Sequence, residues 1–441
     1  MERRGDLGYT RDAVVLPVAH RHPERAVRPI RVVIAVLGDL GRSPRMLYHA
    51  QALADSGADV DLVGYVETDI DRAVATHARI RVHRLRAPAH VPRALFALRG
   101  LIRVARQSLE LLWTLLLRVR HPDVLLVQNP PAVPTLLVGL LVARARSARL
   151  IIDWHNFGYA VLALRLRPRH VVVRLARRYE RAFGRRADAH LCVSRAMASE
   201  LEARWGIGRA VVLYDRPAAR FAPTPPAVRR ELLARLHGDL RLPDPSRPIA
   251  LVVSPSSWTP DEDFALLIEA AARCDEAMAQ DAASFPDLVI VATGRGPLRE
   301  RYARDMGALA LRHVHLRTLW LPPEDYPAFI GAADLGLCLH RSASGLDLPM
   351  KLADFLGAGV PVCALDYGPC LGEVLRHGEN GLLFSTAAEL AGHLEALFRG
   401  YPEGAPLLER LRSNVAGSPG ERWTDAWTSV ALPVLLEGLP N

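Results

Sequence analysis

The sequence contains a single lysine, Lys351, although 56 of its 441 residues are lysine or arginine. A general bias toward arginine explains most of this imbalance, but not why one position remained lysine. Lysine presents a narrow, rotatable point charge, whereas arginine presents a wide planar fork. Either this position is lysine by chance, or Lys351 binds an anion in a space too narrow for a guanidinium group.

Cysteine pairs and nucleic-acid motifs are also missing. The five cysteines are odd in number and include no CxxC spacing, which argues against a disulfide framework or a zinc site and favours a reducing compartment. No asparagine lies in an N-x-Ser/Thr sequon, as expected of a chain that faces the cytosol. The net charge of +9 favours acidic partners. Because no basic block is interleaved with aromatic residues, we predict no nucleic-acid partner.

Long hydrophobic runs are absent. Residues 1–28 are charged throughout, which predicts a mobile arm and no signal peptide. Residues 93–120 are rich in leucine, but their longest uncharged run is far shorter than the roughly 18 residues of a membrane span. Arg99, Arg103 and Arg106 share one helical face beside a broad apolar surface, formed by Leu98, Leu101, Ile102, Leu109, Leu112, Trp113 and Leu116. This pattern is typical of a helix lying in a membrane interface, although a helix packed on its own domain has the same pattern.

Strand-like and helix-like segments alternate twice along the chain. The alternation predicts a Rossmann-like domain over 29–217, a proline-bearing linker over 218–246, a second such domain over 247–415 and a closing helix within 416–441. Facing domains of this α/β type bind ligands in the crevice at the carboxyl ends of their parallel strands. The first strand is followed by GDLGRSPR rather than GxGxxG, which argues against a dinucleotide-dependent dehydrogenase. The arrangement resembles the GT-B glycosyltransferases.

Eight motifs in chain order make the resemblance more specific. They are VLGDLGRSPRMLYHA at 36–50, QNPPAVP at 128–134, IIDWHNFGY at 151–159, LYDRP at 213–217, SWTPDEDF at 257–264, GRGPL at 294–298, ADLGLCLHRSASGLDLPMKLADFLGAGVPVCAL at 333–365 and HGENGLLF at 377–384. Together they resemble the chitobiosyldiphosphodolichol beta-mannosyltransferases, glycosyltransferase family 33.

The resemblance implies an inverting transfer of mannose from GDP-mannose to O4 of the outer GlcNAc of a lipid-diphosphate-linked chitobiose. This step belongs to early N-glycan precursor assembly on the cytosolic face of the endoplasmic reticulum. No tightly bound cofactor is expected. Family members commonly begin with a transmembrane helix, which this sequence is not expected to have, so we predict a peripheral or monotopic protein and leave its lipid carrier open.

A nucleotide-sugar donor needs groups that stabilise its departing diphosphate. Glycine-rich turns and helix N-termini supply backbone N–H groups for this purpose. Pro349 is expected to start a helix and to place Lys351 in its first turn, where Lys351 would bind the diphosphate. Asp354 matches in rough position an acidic residue that related enzymes use for the ribose, although it could be a surface acid. The candidate donor-binding residues are Gly294, Arg295, Gly296, Asp347, Lys351, Asp354 and Glu373, of which Glu373 could also be structural.

The DEDF segment offers a D-x-D pattern, which holds a metal ion in another glycosyltransferase fold. Here Thr259 and Pro260 favour a helix start in which Glu262 completes a capping box. We therefore predict no metal ligands.

An inverting displacement needs a base for the acceptor hydroxyl. We expect it in the first domain, with Asp39 slightly ahead of His155. Asp39 ends the first strand, but it could instead be a loop acid bonded to Arg42 or Ser43. Asp153 and His155 point to one face of a strand, so Asp153 could orient His155 as the base, or His155 could bind the donor sugar. The expected acceptor-side residues are Gly38, Gly41, Arg42 and Asn156.

Two alternatives remain open. The protein could be a related GT-B enzyme for another lipid-linked glycan, or a non-catalytic scaffold for membrane enzymes. The presence of Asp39, His155, Lys351 and Asp354 argues against the scaffold.

Overall fold

The computed structural model describes residues 28–86, 99–243, 247–418 and 420–439. Nearly all of the predicted arm, residues 93–98 of the predicted interfacial helix and residues 244–246 of the predicted linker lie outside these ranges. The described chain forms two sheets of seven and six parallel strands. This confirms the predicted doubly wound α/β class.

The first sheet is built from aliphatic strands that are buried on both faces, as parallel strands require. Its strands are β1 (Arg31–Asp39), β2 (Asp59–Tyr65), β3 (Ile80–Arg84), β4 (Val124–Asn129), β5 (Arg149–Trp154), β6 (Ala189–Cys192) and β7 (Ala210–Val212). Their spatial order is β3-β2-β1-β4-β5-β6-β7. The order reverses direction between β1 and β4, so a crevice for ligands is expected at the carboxyl ends of these two strands.

Helices cover both faces of this sheet. They are α1 (Pro44–Asp55), α2 (Arg72–Ala75), α3 (Arg99–Trp113) with a π-helical turn over Thr114–Arg118, α4 (Thr135–Ala145), α5 (Gly158–Leu166), α6 (Val171–Gly184) and α7 (Arg195–Glu200) with a π-helical turn over Leu201–Trp205. α3, α4 and α6 share one core with Trp154, and α1 lies on the opposite core with Val32 and Ile34. Among the described residues, no helix combines the length and the apolar character needed to cross a membrane.

The second sheet has the order β10-β9-β8-β11-β12-β13. Its strands are β8 (Ile249–Pro255), β9 (Asp287–Thr293), β10 (Val314–Leu319), β11 (Leu335–Cys338), β12 (Val362–Leu365) and β13 (Gly381–Phe384). The accompanying helices are α8 (Pro226–Arg235), α9 (His237–Leu240), α10 (Phe264–Gln280), α11 (Arg299–Gly307), α12 (Tyr326–Gly331), α13 (Met350–Gly357), α14 (Ala387–Phe398) and α15 (Pro406–Gly417). The segment predicted as a linker contains α8 and α9, whose Leu232, Leu236 and Leu240 join the core of the second sheet.

The C-terminal segment returns to the first sheet. It forms α16 (Trp423–Ala426), a π-helical turn over Trp427–Ala431 and α17 (Leu432–Leu436). Trp423, Trp427 and Leu435 are buried in the same core as α1. The C-terminal segment therefore packs on the first domain.

The predicted helix start at Thr259 is wrong. α10 begins at Phe264, and the Asp263 side chain caps it by accepting a hydrogen bond from Leu266 N at 3.1 Å. Glu262 caps no helix, because it is occupied at the site described next.

Candidate active site

A cavity of about 390 Å³ lies between the two sheets at the carboxyl ends of their strands. The start of α1, the connector that follows β7 and the loops after β8 and β9 all contribute to its wall. Its lining includes Pro44, Tyr48, Arg220, Phe221, Ser256, Ser257, Gly294, Trp320, Tyr326, Lys351 and Asp354. Three of the predicted donor-binding residues, Gly294, Lys351 and Asp354, therefore meet in one place.

The two glycines of GRGPL bring two loops into backbone contact at this cavity. Gly294 has a φ of +99°, and a Cβ atom there would overlap the carbonyl oxygen of Ser256. A Cβ atom at Gly296 would overlap the carbonyl oxygen of Ser257. Any larger residue would push the loops after β8 and β9 apart and deform the cavity wall.

Arg295 does not line the cavity directly. Its guanidinium carbon lies 3.9 Å from the centre of the Trp320 ring. Trp320 is 43% exposed and lines the cavity, and the Arg295 guanidinium forms a cation–π contact with its ring. An exposed indole at the edge of a cavity can stack with a nucleobase.

Lys351 is held on the cavity wall by the protein itself. Its Nζ donates to Glu262 Oε1 at 2.5 Å and to the carbonyl oxygen of Pro255 at 2.6 Å. Burial opposes the charge, but Glu262 together with Cys338 and Asp261 outweighs burial and keeps the pKa of Lys351 above its usual value. The anion expected beside Lys351 is thus supplied by Glu262. An ammonium group has three N–H donors, so one remains for a ligand.

Glu262 also organises the loop after β8. Its Oε2 accepts hydrogen bonds from Ser256 Oγ, Ser257 N and Trp258 N at 2.5, 2.9 and 2.9 Å. The pair of Lys351 and Glu262 therefore joins α13 to the loop that forms one side of the cavity.

Asp354 lies in the cavity wall one helical turn beyond Lys351 and is half-buried rather than a surface acid. Burial raises the pKa of Asp354 to about 8, while Arg220 opposes the shift and Asp215 adds to it. Once its carboxyl group has lost its proton, Asp354 can accept hydrogen bonds from ligand hydroxyl groups.

Asp347 and Glu373 lie outside the cavity lining and connect the two domains. Asn156 Nδ2 donates to Asp347 Oδ1 at 2.8 Å, and Ser342 Oγ also bonds this oxygen. The Glu373 carboxylate accepts from Arg195 N, Ala196 N and Tyr214 Oη at 2.7, 2.9 and 2.7 Å. Asn156, Asp347 and Glu373 thus connect the two domains across the crevice, a structural role that was predicted as an alternative only for Glu373.

His340 stabilises the position of the Asp347 side chain. Its Nε2 lies 3.3 Å from Asp347 Oδ2, and its Nδ1 lies 3.2 Å from Asp261 Oδ2. Burial lowers the pKa of His340, but Asp261 and Asp347 outweigh it and raise it to about 9. A protonated imidazole donates from both nitrogens, so His340 holds both carboxylates at neutral pH.

On the first domain, His155 and Asp153 form the predicted pair. His155 Nε2 lies 2.8 Å from Asp153 Oδ2, because alternate residues at the end of β5 point to the same side. Asp153 is completely buried, so it cannot contact a substrate itself. Asp153 is therefore placed to orient the ring of His155.

The groups that hold Asp153 were not predicted from the sequence. Arg45 donates from Nε and Nη2 to its two oxygens at 2.8 and 3.0 Å, and His49 Nε2 lies 3.2 Å away. Burial opposes the charge on Asp153, but Arg45, His155 and His49 together outweigh burial and hold the pKa of Asp153 well below its usual range. Trp427 Nε1 donates to His49 Nδ1 at 2.9 Å, so the C-terminal segment reaches this network. The only signal in the sequence was the i, i+4 spacing of Arg45 and His49 within the motif at 36–50.

Asp39 forms the ion pair with Arg42 that the loop-acid alternative expected, but its shorter contacts are with the loop after β2. Its oxygens accept from Glu67 N, Thr68 N and Thr68 Oγ1 at 3.0, 3.2 and 2.6 Å. Arg42 Nε is 3.9 Å from Asp39 Oδ2, and Ser43 Oγ bonds only the backbone oxygen of Asp39. Asp39 therefore fixes the loop after β2 through these three hydrogen bonds.

Of the acceptor-side glycines, only Gly41 is required by this packing. A Cβ atom at Gly41 would overlap Thr68 Oγ1, whereas one at Gly38 would meet nothing closer than 3.6 Å. Within the described part of the chain, no group of three or more His, Cys, Asp or Glu side chains is arranged to hold a metal ion.

The predicted interfacial helix is partly exposed. Leu101, Leu109, Trp113 and Leu117 are exposed, but Leu112 and Leu116 pack against the core. The apolar surface predicted for this helix therefore points partly inward, and its exposed part keeps Leu101, Leu109 and Trp113 and adds Leu117.

Both halves of the chain match glycosyltransferase family models. Residues 41–218 match a "Glycosyl transferase 4-like domain", and residues 247–399 match "Glycosyl transferases group 1". The fold resembles WaaG, a glycosyltransferase involved in lipopolysaccharide biosynthesis, with a TM-score of 0.64, 15% identity and coverage of 93% of this chain and 100% of that chain. It also resembles sucrose-phosphate synthase from Thermosynechococcus elongatus, with a TM-score of 0.64, 18% identity and coverage of 92% and 97%. These likenesses confirm the GT-B fold.

Relatives of higher identity indicate the family. The UDP-glycosyltransferase TURAN of Arabidopsis thaliana is 40% identical, with 92% of this chain and 97% of that protein covered. The chitobiosyldiphosphodolichol beta-mannosyltransferase of Homo sapiens is 39% identical, with 94% of each chain covered. That of Mus musculus is 40% identical, with 92% and 89% covered. Because the similarity spans almost the whole chain and both domains of the fold, this protein is a glycosyltransferase that belongs to the chitobiosyldiphosphodolichol beta-mannosyltransferase family.

Proposed function

We propose that the protein transfers mannose from GDP-mannose to O4 of the outer GlcNAc of a lipid-diphosphate-linked chitobiose and forms a β-1,4 linkage. The observation that carries this proposal is the identity of 39–40% over nearly the full length of two enzymes named for this acceptor. The reaction would take place on the cytosolic face of the endoplasmic reticulum in a eukaryotic cell. The lipid carrier stays open.

The cavity between the domains is the proposed donor site. Lys351 has one N–H donor left for the diphosphate, Asp354 faces the same space, and Trp320 offers a stacking surface for the base. The β8 and β9 loops supply backbone groups that the two glycines bring close together. These elements lie on the second domain, so the acceptor must approach from the first.

His155 is the better supported base. If its Nε2–H donates to Asp153, its Nδ1 keeps the lone pair that can accept a proton. In an inverting displacement, O4 of GlcNAc bonds to C1 of mannose, the bond from C1 to the phosphate oxygen breaks, GDP leaves and the O4 proton passes to the base. Asp39 ranks lower because its oxygens already accept three hydrogen bonds.

The donor is tested by its effect on thermal unfolding. At a concentration about a hundredfold above Kd, a ligand adds about 2.7 kcal/mol to the free energy of unfolding. We expect GDP and GDP-mannose to raise Tm, and UDP and UDP-sugars to raise it much less. A UDP-sugar is the second candidate, because the Arabidopsis relative is named as a UDP-glycosyltransferase. Equal stabilisation by UDP-glucose or UDP-GlcNAc would remove GDP-mannose as the proposed donor.

Substitution of Lys351 tests the proposed diphosphate contact. Loss of a charged hydrogen bond costs about 1.5–3 kcal/mol, so Lys351→Met should weaken GDP binding roughly tenfold to a hundredfold and lower kcat as well. Lys351→Arg should restore neither, because the ammonium fits between a carbonyl and a carboxylate at 2.6 and 2.5 Å. Calorimetric titration with GDP measures the affinity, and thermal unfolding of each variant controls for the lost pair with Glu262. Full recovery in Lys351→Arg would show that a narrow cation is not required.

The α3 helix is the proposed membrane contact, because a lipid-linked acceptor keeps its sugars at the bilayer surface. Replacing the exposed Leu109, Trp113 and Leu117 with serine should weaken binding to vesicles and slow transfer to a long-chain acceptor. Transfer to a short, water-soluble acceptor should continue, because the cavity is not altered. Val228→Ser on α8, which is exposed on the second domain, is the control. Unchanged vesicle binding by the triple variant would exclude α3 as an anchor.

A further inference from the structure

Exposed apolar side chains are concentrated on one helical layer. Among the described residues, twelve large apolar side chains are exposed, and ten of them lie on α3, α4, α5 and α6. Four belong to α3, and the other six are Leu141, Val161, Leu164, Val171, Val172 and Leu175. Single exposed apolar residues are ordinary, but a cluster of this size marks an interaction surface.

The helices α5 and α6 pack against each other as a hairpin. Val171 and Leu175 are four residues apart on α6, and Arg174 and Arg178 fall on the same outward face at helical spacing. The hairpin therefore presents aliphatic groups and guanidinium groups side by side.

The charge of this surface has one sign. Nine arginines between positions 165 and 186 are exposed, and the only acid in that range, Glu180, is completely buried. Glu180 accepts hydrogen bonds from Asn129 Nδ2 and from Gly158 N and Tyr159 N, at 2.7, 2.8 and 3.1 Å. Its carboxyl group is turned inward to the start of α5, so it cannot neutralise the arginines at the surface.

The kind of partner follows from this combination. A nucleic acid would pair with the arginines, but the described hairpin surface presents valine and leucine in place of the aromatic platforms on which single-stranded bases stack. A bilayer with anionic headgroups satisfies both, because arginines bind phosphate groups while valine and leucine enter the boundary with the acyl chains.

We propose that the α5–α6 hairpin docks this protein on membranes that carry anionic lipids. Val171, Val172 and Leu175 enter the headgroup boundary, and Arg174 and Arg178 bind lipid phosphate groups. α3 lies in the same layer and would meet the same bilayer. The hairpin supplies the preference for anionic lipid. This inference does not depend on the identity of donor or acceptor sugar.

The test uses the full chain and vesicles of phosphatidylcholine with and without phosphatidylserine. We expect wild-type protein to bind the anionic vesicles more tightly. Arg174→Gln with Arg178→Gln should weaken that binding about thirtyfold, the loss given by two surface arginines. It should leave binding to phosphatidylcholine alone unchanged. Val171→Ser with Val172→Ser and Leu175→Ser should weaken binding to both vesicles.

The matched control is Val228→Ser with Arg230→Gln, an exposed apolar and basic pair on α8. It should bind both vesicles as the wild type does, and all variants should keep the wild-type Tm because the altered side chains are exposed. Folded hairpin variants that bind like wild type would overturn the proposal. It is likewise overturned if wild type binds both vesicles equally, or binds neither and associates only with an acidic protein.

Discussion

Replacement of His155 by alanine is expected to lower kcat by about 10²- to 10⁴-fold, the usual contribution of a general base. The Kd for GDP should change little, because the cavity lined by Lys351 and Asp354 does not include His155. His155 is positioned by a carboxylate at 2.8 Å and its side chain is 23% exposed, so it can reach a substrate while Asp153 cannot. Single-turnover transfer measures the chemical step separately from product release.

The control for this experiment is His121→Ala, an exposed histidine in the loop before β4. Asp39→Asn should be measured in parallel. Asp39→Asn is expected to lower the stability of the folded protein, because it weakens the hydrogen bonds from Glu67 and Thr68. Its effect on the rate of the chemical step per folded molecule should be smaller. If Asp39→Asn abolishes transfer in folded protein while His155→Ala remains active, the assignment of the base must be reversed.

Removal of Arg45 is expected to destabilise the protein by about 3–5 kcal/mol, because it leaves the buried charge of Asp153 without its main partner. Arg45 also bonds Asp215 at 2.8 Å and the carbonyl oxygen of Leu213 at 2.9 Å, so the segment after β7 would lose these two polar contacts with α1. Arg45→Met should therefore lower the urea midpoint of unfolding strongly.

A second variant separates stability from function. Arg45→Met combined with Asp153→Leu removes both buried charges, and it should recover much of the lost stability. It should not recover transfer, because His155 would lose the acceptor for its Nε2–H. Recovery of both would show that Asp153 serves stability alone.

The pH dependence of this contribution follows from the pKa of Asp153, which is held well below its usual range. A carboxyl group with a lowered pKa stabilises the folded state above its unfolded pKa, and that stabilisation is lost as pH falls toward the folded pKa. The stabilising effect is therefore present at neutral pH and disappears only in acid.

Much of the fold could be predicted from local patterns. Buried parallel strands are aliphatic on both faces, so both series of strands stood out in the sequence. The geometry at the glycines of GRGPL and the contact between Asp153 and His155 also depend on residues that are neighbours in the sequence. What the sequence could not show were contacts between distant segments. Arg45 and Asp153 are 108 residues apart along the chain, and Trp427 reaches His49 beside them only because the C-terminal segment returns to the first sheet.

Two errors have the same origin. Glu262 had the spacing of a capping box, but Lys351 and the backbone N–H groups of the β8 loop bind its carboxylate instead. Leu112 and Leu116 were assigned to an exposed surface, because helical periodicity gives the apolar stripe without saying which edge of it meets the core. In both cases, contacts with residues distant in the sequence decided between two interpretations that the local sequence supported equally.

The most direct test of the proposed reaction is transfer of radiolabelled mannose from GDP-mannose to a lipid-diphosphate-linked chitobiose by the purified full chain. We predict a labelled lipid product whose new sugar is released by β-mannosidase, formed by wild type and lost in His155→Ala. UDP-glucose and UDP-GlcNAc should give no product with this acceptor. Label transferred from a UDP-sugar and not from GDP-mannose would contradict the proposed donor, and no transfer from any nucleotide sugar would favour a non-catalytic scaffold.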